Sequence, residues 1–305
     1  MSILITGATG LIGGEIVKEC HRNNIDVHYL TTSKNKIQST PNYKGYYWNP
    51  DQNEIDLNCF ENVTAIINLA GATISKRWTA DYKKKILSSR VNSLRTLNNG
   101  LKKVDTSSVK SFVSASATGI YPDSITNFYE EDIAYPIKGF LAEVVAAWEQ
   151  EANTFTSFNF SVAKIRIGLV MSDKGGALPE MVKPIQLYAG APFGSGQQWQ
   201  SWIHINDLAR IFIFAVTQEL NGVYNAVASN PVTNEKLTKK VAEVLAKKII
   251  IPNIPAFILK LILGEMSNLL LNSQRVSNKK ILEEGFVFEY QNVGNALTSL
   301  YGKQD

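Results

Sequence analysis

The sequence predicts an α/β protein in which a doubly wound parallel sheet is joined to a smaller, mainly helical C-terminal domain. Three observations predict this fold class. Short apolar runs alternate with helical segments through the first 170 residues. The first of these runs leads directly into a glycine-rich turn. After Val170 the alternation gives way to loops rich in glycine and proline and to helical periodicity.

The alternation can be followed from element to element. Residues 2–6 form a short β-branched run that leads into a glycine, and residues 63–71 form a continuous apolar run typical of a buried parallel strand. Helical segments between such runs indicate β–α–β units. Strands are predicted at residues 2–6, 26–32, 45–50, 63–71, 109–116, 160–170 and 222–227, and helices at residues 11–22, 79–103, 139–153, 206–218, 234–247 and much of 256–285.

The change in composition and periodicity near Val170 predicts where the domains divide. Residues 1–170 are expected to form the sheet domain, with residues 205–228 returning to it. The segments 171–204 and 229–305 are expected to form the small C-terminal domain. Ligands of open α/β sheets bind beyond the carboxyl ends of the strands, so the ligand cleft should lie there, between the two domains.

Composition and charge exclude several classes of protein. The 305 residues include 31 Lys and Arg against 27 Asp and Glu, and a net charge of +4 does not indicate a nucleic-acid partner. Cys20 and Cys59 are the only cysteines, which excludes a disulfide scaffold and suits the reducing cytoplasm. No signal peptide is visible. Prolines and charges interrupt the apolar stretch 249–271, which therefore predicts one or two buried amphipathic helices, with an exposed apolar face left open, and not a membrane span.

The string ITGATGLIGG places Gly7, Gly10 and Gly13 between the first strand and the first helix. Glycines at such a turn let the chain turn tightly, let backbone N–H groups approach a diphosphate, and let the helix pack closely on the strand. The helix N-terminus adds positive potential. This strand–turn–helix context predicts a dinucleotide site and identifies the first domain as an NAD(P)-binding, Rossmann-type domain, although an ordinary tight turn is the alternative.

The end of the second strand indicates which dinucleotide binds. A carboxylate there would accept hydrogen bonds from the adenine ribose and favour NAD. The sequence has no acid at this point and instead offers hydroxyls at Thr31, Thr32 and Ser33 and positive charge at Lys34 and Lys36. These groups suit a 2′-phosphate, so NADP, as NADPH, is expected in preference to NAD. A solvated polar loop without preference is the alternative.

Several strings along the chain resemble the extended short-chain dehydrogenase/reductases, namely TGATGLIG, NLAG (68–71), SASATGIY (114–121), IRIGLV (165–170) and WIHINDLA (202–209). The strings FLAEVVAAWEQEA (140–152), GGALPEM (175–181), GSGQQWQSWIH (194–204), NPVTN (230–234), LLLNSQRV (269–276) and GFVFEY (285–290) resemble more closely an atypical subfamily, the nucleoside-diphosphate-sugar epimerase-like or epimerase family proteins. The motif and the resemblance together predict a cofactor site formed by Gly7, Thr9, Gly10, Leu11, Ile12, Gly13, Thr32, Ser33, Lys34, Leu69, Ala70, Gly71 and Ser114.

One departure from the wider superfamily bears on catalysis. Its catalytic members carry Tyr-x-x-x-Lys on one helix, where the lysine lowers the tyrosine pKa. None of the twelve tyrosines in this chain has a lysine four residues later. The motif positions fall instead on Phe140 or Leu141 and on Val144 or Val145. The usual acid–base pair therefore cannot be carried over to this chain.

Four residues are candidates for the missing acid–base chemistry. Ser116 lies near the position of the superfamily's substrate-binding serine, and Thr118 is an alternative. For both, turn hydrogen bonding is the structural explanation. Tyr121 could donate a proton, but packing in the core is the simpler role. Glu143 could act as a base if the helix face that carries it is buried, whereas a solvated helix charge is the alternative.

Five residues are candidates for substrate contacts. Arg77 could hold an anion and Trp78 could stack on a ring, or both could belong to a surface loop. Gln198 and Trp199 could cover a polar ligand, or they could belong to a structural loop. His204 could line the cleft, while Asp207 is expected to cap a helix. The three histidines are far apart and no carboxylates pair with them, so no metal site is expected.

Two functions follow from these residues and this resemblance. The first is an NADP-dependent oxidoreductase or epimerase acting on a small polar substrate, in which the cofactor carries the hydride. The second is a protein that binds NADPH without turnover and serves as a redox sensor or scaffold. A deep polar cleft over the nicotinamide would favour the first, and a nicotinamide face covered by Phe140, Leu141 or Val145 would favour the second. The oligomeric state stays open, with a homodimer as one option.

Overall fold

The computed structural model describes residues 1–302 of the chain. Its strands fall close to the predicted segments, and several two-residue strands add to them. The strands are β1 (Ser2–Thr6), β2 (Asp26–Thr31), β3 (Ser39–Thr40), β4 (Tyr43–Asn49), β5 (Glu54–Ile55), β6 (Ala65–Asn68), β7 (Ser111–Ala117), β8 (Phe128–Tyr129), β9 (Ser161–Ile167), β10 (Leu169–Met171), β11 (Trp199–Gln200), β12 (Trp202–His204), β13 (Gly222–Ala226), β14 (Val232–Thr233) and β15 (Arg275–Val276).

The helices in the first half of the chain also match the predicted periodicity. The apolar segment that follows residue 256 is broken into short pieces and does not form one long helix. The helices are α1 (Leu11–Arg22), α2 (Ala80–Leu101), α3 (Phe140–Asn153), α4 (Ala177–Gln186), α5 (Ile205–Thr217), α6 (Asn234–Val244), α7 (Ala256–Leu263), α8 (Asn268–Leu271), α9 (Lys279–Glu283) and α10 (Val293–Tyr301).

A large, mainly parallel sheet confirms the predicted α/β class. The strand order is β13-β9-β7-β6-β1-β2-β4-β3, and β5 pairs with β4 off this path. β1 pairs in parallel with both β2 and β6, and β6 pairs in parallel with β7. From β1 the chain continues outward on one side of the sheet through β2 and β4, and then crosses to the other side, where β6 lies next to β1. The direction in which strands are added therefore reverses at β1. In doubly wound sheets this switch point is where ligands bind.

The chain divides into two compact units. Unit 1 comprises residues 1–120, 138–166 and 209–224 and holds most of the large sheet. Its central strands are buried on both faces, as their continuous apolar sequences predict. α2 begins at a cap in which the Thr79 hydroxyl accepts a hydrogen bond from the Tyr82 N–H at 3.2 Å. α2 and α3 pack against each other within this unit.

Unit 2 comprises residues 121–137, 167–208 and 225–305. α4, α6 and α10 pack together around a core centred on Trp202, whose side chain is fully buried. Small strand pairs frame this core: β10 with β12, β11 with β14, and β8 with β15. α5 crosses from one unit into the other, because residues 205–208 belong to unit 2 and residues 209–217 to unit 1.

In the apolar stretch 249–271, α7 has the exposed apolar face that the sequence left open for these helices. Leu259 is the one α7 residue that is buried, whereas Phe257, Leu261 and Ile262 are 70%, 83% and 64% exposed. Every residue of α7 except Lys260 is apolar, so apolar side chains lie all round the helix and one core cannot cover them all. Among the helices of residues 1–302, none is long and apolar enough to cross a membrane.

Candidate functional site

The glycine loop joins β1 to α1 in unit 1. Gly7 follows β1 with a φ of +72°, and the Gly10 N–H donates to the Gly7 carbonyl at 2.9 Å. A Cβ on Gly13 would lie 2.2 Å from the Gly7 carbonyl oxygen, so only glycine lets α1 approach the loop this closely. Gly10 precedes α1 and provides no side-chain cap. The N–H groups of the first helical turn are thus not capped by that side chain, as a diphosphate site requires.

The end of β6 lies against this loop. A Cβ on Gly7 would be 3.3 Å from the Leu69 carbonyl carbon and Cβ. The Thr6 hydroxyl donates to Asn68 Oδ1 at 2.8 Å and accepts from the N–H groups of Leu69 and Ala70 at 3.0 Å each. This buried hydroxyl therefore fixes the two strand ends relative to each other. The residues predicted from the glycine motif and from NLAG form one continuous backbone surface.

The end of β2 contains hydroxyls and lysines but no carboxylate. The Thr31 Oγ1 accepts from the Ser33 N–H at 3.2 Å, which turns the chain into a short 3₁₀ segment that starts at Lys34. Thr32 and Lys34 are exposed, and the Lys34 Nζ lies 5.0 Å from the ring centroid of Tyr47 on β4. A cation and two hydroxyls at this position have the right charge and hydrogen-bonding groups for a phosphate ester.

A buried ion pair lies behind the end of β7. Glu149 of α3 accepts two hydrogen bonds from Arg166 of β9, from Nε at 2.8 Å and from Nη2 at 2.9 Å. The Ser116 hydroxyl donates to the same carboxylate at 2.6 Å. Burial by itself would raise the pKa of Glu149, but the hydrogen bonds and charge of Arg166 and the hydrogen bond from Ser116 outweigh it. The pKa of Glu149 is therefore lower than its ordinary value.

This ion pair limits what Ser116 can do. Because its hydroxyl hydrogen is donated to Glu149, Ser116 can accept a hydrogen bond from a ligand but does not donate one in this arrangement. Thr118 lies just past β7 in a 3₁₀ turn and is largely buried. Ser114, one of the predicted cofactor residues, lies three residues before the end of β7 at Ala117. The Ser114 hydroxyl is fully buried, accepts from Asn68 Nδ2 at 3.3 Å and donates to the Ala115 carbonyl at 3.0 Å.

Of the two roles considered for Glu143, the structure favours the solvated helix charge. Glu143 lies in the first turn of α3 and is exposed, while α3 turns Val144, Val145 and Trp148 inward. The acid–base hypothesis for Glu143 required a desolvated carboxyl, and an exposed one has no such environment. The buried carboxylate of this helix belongs to Glu149, six residues further along.

Apolar side chains occupy the positions where the superfamily carries tyrosine and lysine. Leu141 and Val145 approach the segment after β7, because a Cβ on Gly119 would be 3.5 Å from Leu141 Cβ and 3.9 Å from a Val145 methyl group. Phe140 meets the edge of Trp78 with ring centroids 5.1 Å apart. The Lys83 Nζ lies 4.6 Å from the Phe140 ring centroid. Trp78 is partly buried and its indole N–H donates to the Ile74 carbonyl, whereas Arg77 is exposed.

The remaining substrate candidates lie in unit 2. The amide nitrogen of Gln198 donates to the carbonyls of Phe193 and Leu270 at 3.0 Å each, so only its carbonyl oxygen could meet a ligand. The Trp199 indole N–H donates to the Ile125 carbonyl at 3.0 Å. Tyr121 is buried, and its hydroxyl donates to Asn225 Oδ1 at 2.7 Å. Its role within unit 2 is the packed, hydrogen-bonded one.

At the start of α5, His204 and not Asp207 accepts the local backbone hydrogen bond. The prediction that Asp207 caps a helix is wrong, because α5 begins at Ile205 and Asp207 lies inside its first turn. Its carboxylate oxygens accept from the N–H groups of Glu289 and Tyr290 at 3.0 and 2.9 Å. The ring of buried His204 takes over the local bond, accepting from the Asn206 N–H at Nδ1 at 3.1 Å, and stacks on Tyr290 with centroids 3.9 Å apart.

Sequence reasoning missed the pairing of Glu149 with Arg166. The signal was present: Arg166 interrupts the apolar string IRIGLV, and a charge inside a buried parallel strand needs a partner. Glu149 follows Trp148 on the apolar side of the helix that carries it. The two residues lie 17 positions apart, and no local sequence pattern reveals a pair at that separation.

The parallel sheet and the glycine loop at its switch point define a dinucleotide-binding protein of the Rossmann class. The family comparison then places the chain more narrowly. The model of the NAD-dependent epimerase/dehydratase family matches residues 3–226, and a domain of unknown function, DUF1731, matches residues 254–300. The chain therefore belongs to the NAD-dependent epimerase/dehydratase family, which confirms the resemblance predicted from its motifs.

Named relatives extend this placement over the whole chain. An epimerase family protein of Staphylococcus aureus strain MRSA252 is 36% identical over 304 residues, covering 98% of this chain and 99% of that protein. A crystal structure of human epimerase family protein SDR39U1 (isoform 2) with NADPH has a TM-score of 0.86 at 26% identity and covers 99% of each chain. A Thermus thermophilus UDP-glucose 4-epimerase in complex with NAD shares the fold, with a TM-score of 0.76 at 17% identity over 99% of each chain.

Proposed function

We propose that this protein binds NADPH in unit 1 and uses it as an oxidoreductase or epimerase on a small polar substrate. The observation that carries the cofactor choice is the end of β2, where Lys34, Thr32 and Ser33 stand in place of the carboxylate that would favour NAD. The similar human protein SDR39U1 was crystallised with NADPH, which supports the same choice. When bound, NADPH supplies the hydride.

The protein's part in this function is to bind and orient the cofactor. The N–H groups of Leu11, Ile12 and Gly13 begin α1 and would hold the diphosphate, and Thr9 belongs to the same loop. The backbone at Leu69, Ala70 and Gly71 continues this surface along the end of β6. Ser116, Thr118 and Tyr121 stay acid–base candidates, although the hydroxyls of Ser116 and Tyr121 already donate to Glu149 and Asn225. Glu143 is the weakest of the four because it is exposed.

A second function has its own supporting observation. Leu141 and Val145 pack toward the segment after β7, at the positions of the superfamily's tyrosine and lysine. Apolar groups there cannot transfer protons, so the protein could bind NADPH without turnover and report its concentration to a partner. Arg77, Trp78, Gln198, Trp199 and His204 are then structural residues and not substrate contacts. Oxidation of NADPH in the presence of any small polar carbonyl compound would exclude this second function.

The experiment that tests the cofactor proposal is calorimetric titration of the purified protein with NADPH and, separately, with NADH. We expect NADPH to bind more tightly, and Lys34→Ala to weaken NADPH binding about tenfold while leaving NADH unchanged, since one charge-assisted contact is lost. Lys103→Ala is the matched control, because Lys103 is exposed just beyond the far end of α2. Equal affinities for both cofactors would refute the preference, and binding of neither would refute the proposed function.

A further inference from the structure

Unit 2 exposes several large apolar side chains between the end of α6 and the end of α7. Ile250 is 69% exposed, and Ile251 is exposed as well. Phe257, Leu261 and Ile262 of α7 add further exposed side chains to the same short stretch of chain. Single exposed apolar residues are ordinary on a protein surface, but a cluster of them marks a contact with a partner or a membrane.

α7 turns one side toward the protein and the other side outward. A Cβ on Gly194 would lie 4.0 Å from the Ala256 Cβ, and Leu259, on the same side of the helix, is buried. Residues three or four positions apart share a helix face, so Phe257 and Leu261 form a pair on the opposite side. The packing of the inner side therefore fixes which apolar residues of α7 face water.

The charges beside these apolar residues are all positive. Residues 246–264 include Lys247, Lys248 and Lys260 and no acidic residue. None of the three lysines pairs with a carboxylate in the part of the chain that the structure describes. The Lys247 Nζ lies 4.3 Å from the ring centroid of Tyr188, which is itself half exposed. An exposed apolar surface flanked by unpaired cations is complementary to a partner that is both apolar and negatively charged.

This combination favours a lipid bilayer over a second copy of the chain. A symmetric dimer through this surface would bring a second set of lysines against the first, and lysine is depleted from protein interfaces. An anionic bilayer offers negative headgroups to the lysines and an acyl region to the apolar side chains. α7 has eight residues and is about 12 Å long, whereas a hydrocarbon core is about 30 Å thick. The helix would therefore lie along the bilayer surface.

We propose that unit 2 binds the surface of anionic lipid bilayers through α7 and the segment before it. The lysine stems extend along the apolar groups and keep their ammonium ends among the headgroups, while Phe257 and Leu261 enter the acyl region. The inference does not depend on NADPH binding, because the candidate cofactor surface belongs to unit 1. The lysine-flanked apolar surface consists of Lys247, Lys248, Ile250, Ile251, Phe257, Lys260, Leu261 and Ile262.

The test is sedimentation of the full chain with lipid vesicles, made either of phosphatidylcholine alone or of phosphatidylcholine with phosphatidylglycerol. We expect wild type to bind the vesicles that contain phosphatidylglycerol, to bind neutral vesicles far less, and to be released as the salt concentration rises. NADPH is left out of the mixture, so the outcome is separate from that of the cofactor titration.

A first variant removes the three lysines of the surface. Each lysine near an anionic bilayer strengthens binding about fivefold, so Lys247→Gln/Lys248→Gln/Lys260→Gln should weaken binding to the phosphatidylglycerol vesicles about 100-fold. The matched control is Lys102→Gln/Lys103→Gln/Lys110→Gln, which removes the same charge from exposed lysines of unit 1. We expect the control to bind as wild type does.

A second variant removes apolar groups and keeps the lysines. Phe257→Gln/Leu261→Gln should weaken binding at least about tenfold, because two side chains that enter the acyl region become polar. Ile125→Gln/Val287→Gln is the matched control, since these residues are 58% and 68% exposed and lie outside the surface. Thermal unfolding checks that all variants fold, which we expect of substitutions at exposed positions. If the double variant does not fold, Leu261→Gln alone replaces it at the most exposed position.

Three results would overturn the inference. Wild type could fail to bind the phosphatidylglycerol vesicles, it could bind neutral vesicles equally well, or Phe257→Gln/Leu261→Gln could bind as wild type does. Analytical ultracentrifugation without lipid adds a fourth result. A dimer that the same double substitution dissociates would assign the surface to a second copy of the chain, and the bilayer would then not be its partner.

Discussion

At the residue scale, the ion pair between Glu149 and Arg166 is the main charged feature of the interior of unit 1. It joins α3 to β9, and through Ser116 it also holds the end of β7. The pair is bidentate and both partners are buried, so removing one partner leaves the other charge without compensation. The candidate hydroxyl of Ser116 thus takes its orientation from a carboxylate on a neighbouring helix.

Glu149→Gln should therefore destabilise the protein by about 3 kcal/mol at neutral pH, because Arg166 stays charged in the interior. Urea unfolding followed by circular dichroism measures this free energy. Glu151→Gln is the control: Glu151 pairs with Arg95, which is 61% exposed, and surface pairs contribute at most about 1 kcal/mol. Equal costs for the two variants would show that burial of the Glu149 pair adds no stability.

The same carboxylate predicts a pH dependence. The pKa of Glu149 is lower in the folded protein than its ordinary value, so the unfolded chain binds a proton at this group more readily. Its contribution to stability is then complete above the ordinary pKa of a glutamate and is lost as the pH falls through the lower folded value. Wild type should lose more stability than Glu149→Gln between about pH 5 and pH 3. Parallel stability curves for the two proteins over this range would contradict the prediction.

At the element scale, the packing of α1 on the glycine loop depends on one glycine and not on its neighbour. A Cβ on Gly13 would lie 2.2 Å from the Gly7 carbonyl oxygen, whereas a Cβ on Gly14 would come no closer than 3.9 Å to any atom outside its own helix, the Ala8 carbonyl oxygen. The two positions are adjacent in the same helix. Alanine substitutions at these two positions therefore distinguish the effect of close helix–loop packing from the effect of helix propensity.

Gly13→Ala should lower stability by about 1–3 kcal/mol and abolish dinucleotide binding, because the helix must move away from the loop. Gly14→Ala should raise stability by about 0.5–1 kcal/mol, since alanine loses less backbone entropy in a helix, and should leave binding intact. Thermal unfolding and NADPH titration of both variants measure these effects. A Gly13→Ala protein that binds NADPH normally would show that the loop does not need the contact.

α7 provides a second element-scale comparison, this time in unit 2. Leu259 is 7% exposed and Leu261 is 83% exposed, two residues apart on one helix. Leu259→Asp should cost about 3 kcal/mol or more because it buries an unpaired carboxyl, and Leu261→Asp should change stability by less than about 0.5 kcal/mol. Urea unfolding of the two variants tests the orientation of α7. Equal costs would mean that α7 turns both leucines toward the same environment.

At the scale of the whole molecule, NADPH binding should appear as a stability change. A ligand at 100 times its dissociation constant stabilises the native state by about 2.7 kcal/mol. For a chain of 305 residues each kcal/mol raises the melting temperature by about 1.5–2 °C. We expect NADPH to raise the melting temperature by several degrees, NADH at the same concentration to raise it less, and Lys34→Ala to reduce the difference. Identical shifts for the two cofactors would contradict the 2′-phosphate assignment.

The sequence by itself determined the fold class and the glycine loop. The alternation of short apolar runs with helical segments is a local pattern, and it predicted the central strands and the first helices within a few residues. Gly7, Gly10 and Gly13 lie within one strand–turn–helix segment, so their geometry is also local. The family resemblance rested on motifs of the same kind. Each of these features is encoded by residues close together in the chain.

Only the tertiary structure decided which charged groups are buried and which groups they contact. Glu143 and Glu149 lie on one helix, and their sequence context did not separate the exposed carboxylate from the buried one. Arg90 meets Trp148, and Asp207 meets Glu289 and Tyr290, over separations that no periodicity spans. The physical reason is that burial and pairing depend on how distant segments pack, whereas strand and helix periodicity depends on neighbours in the sequence.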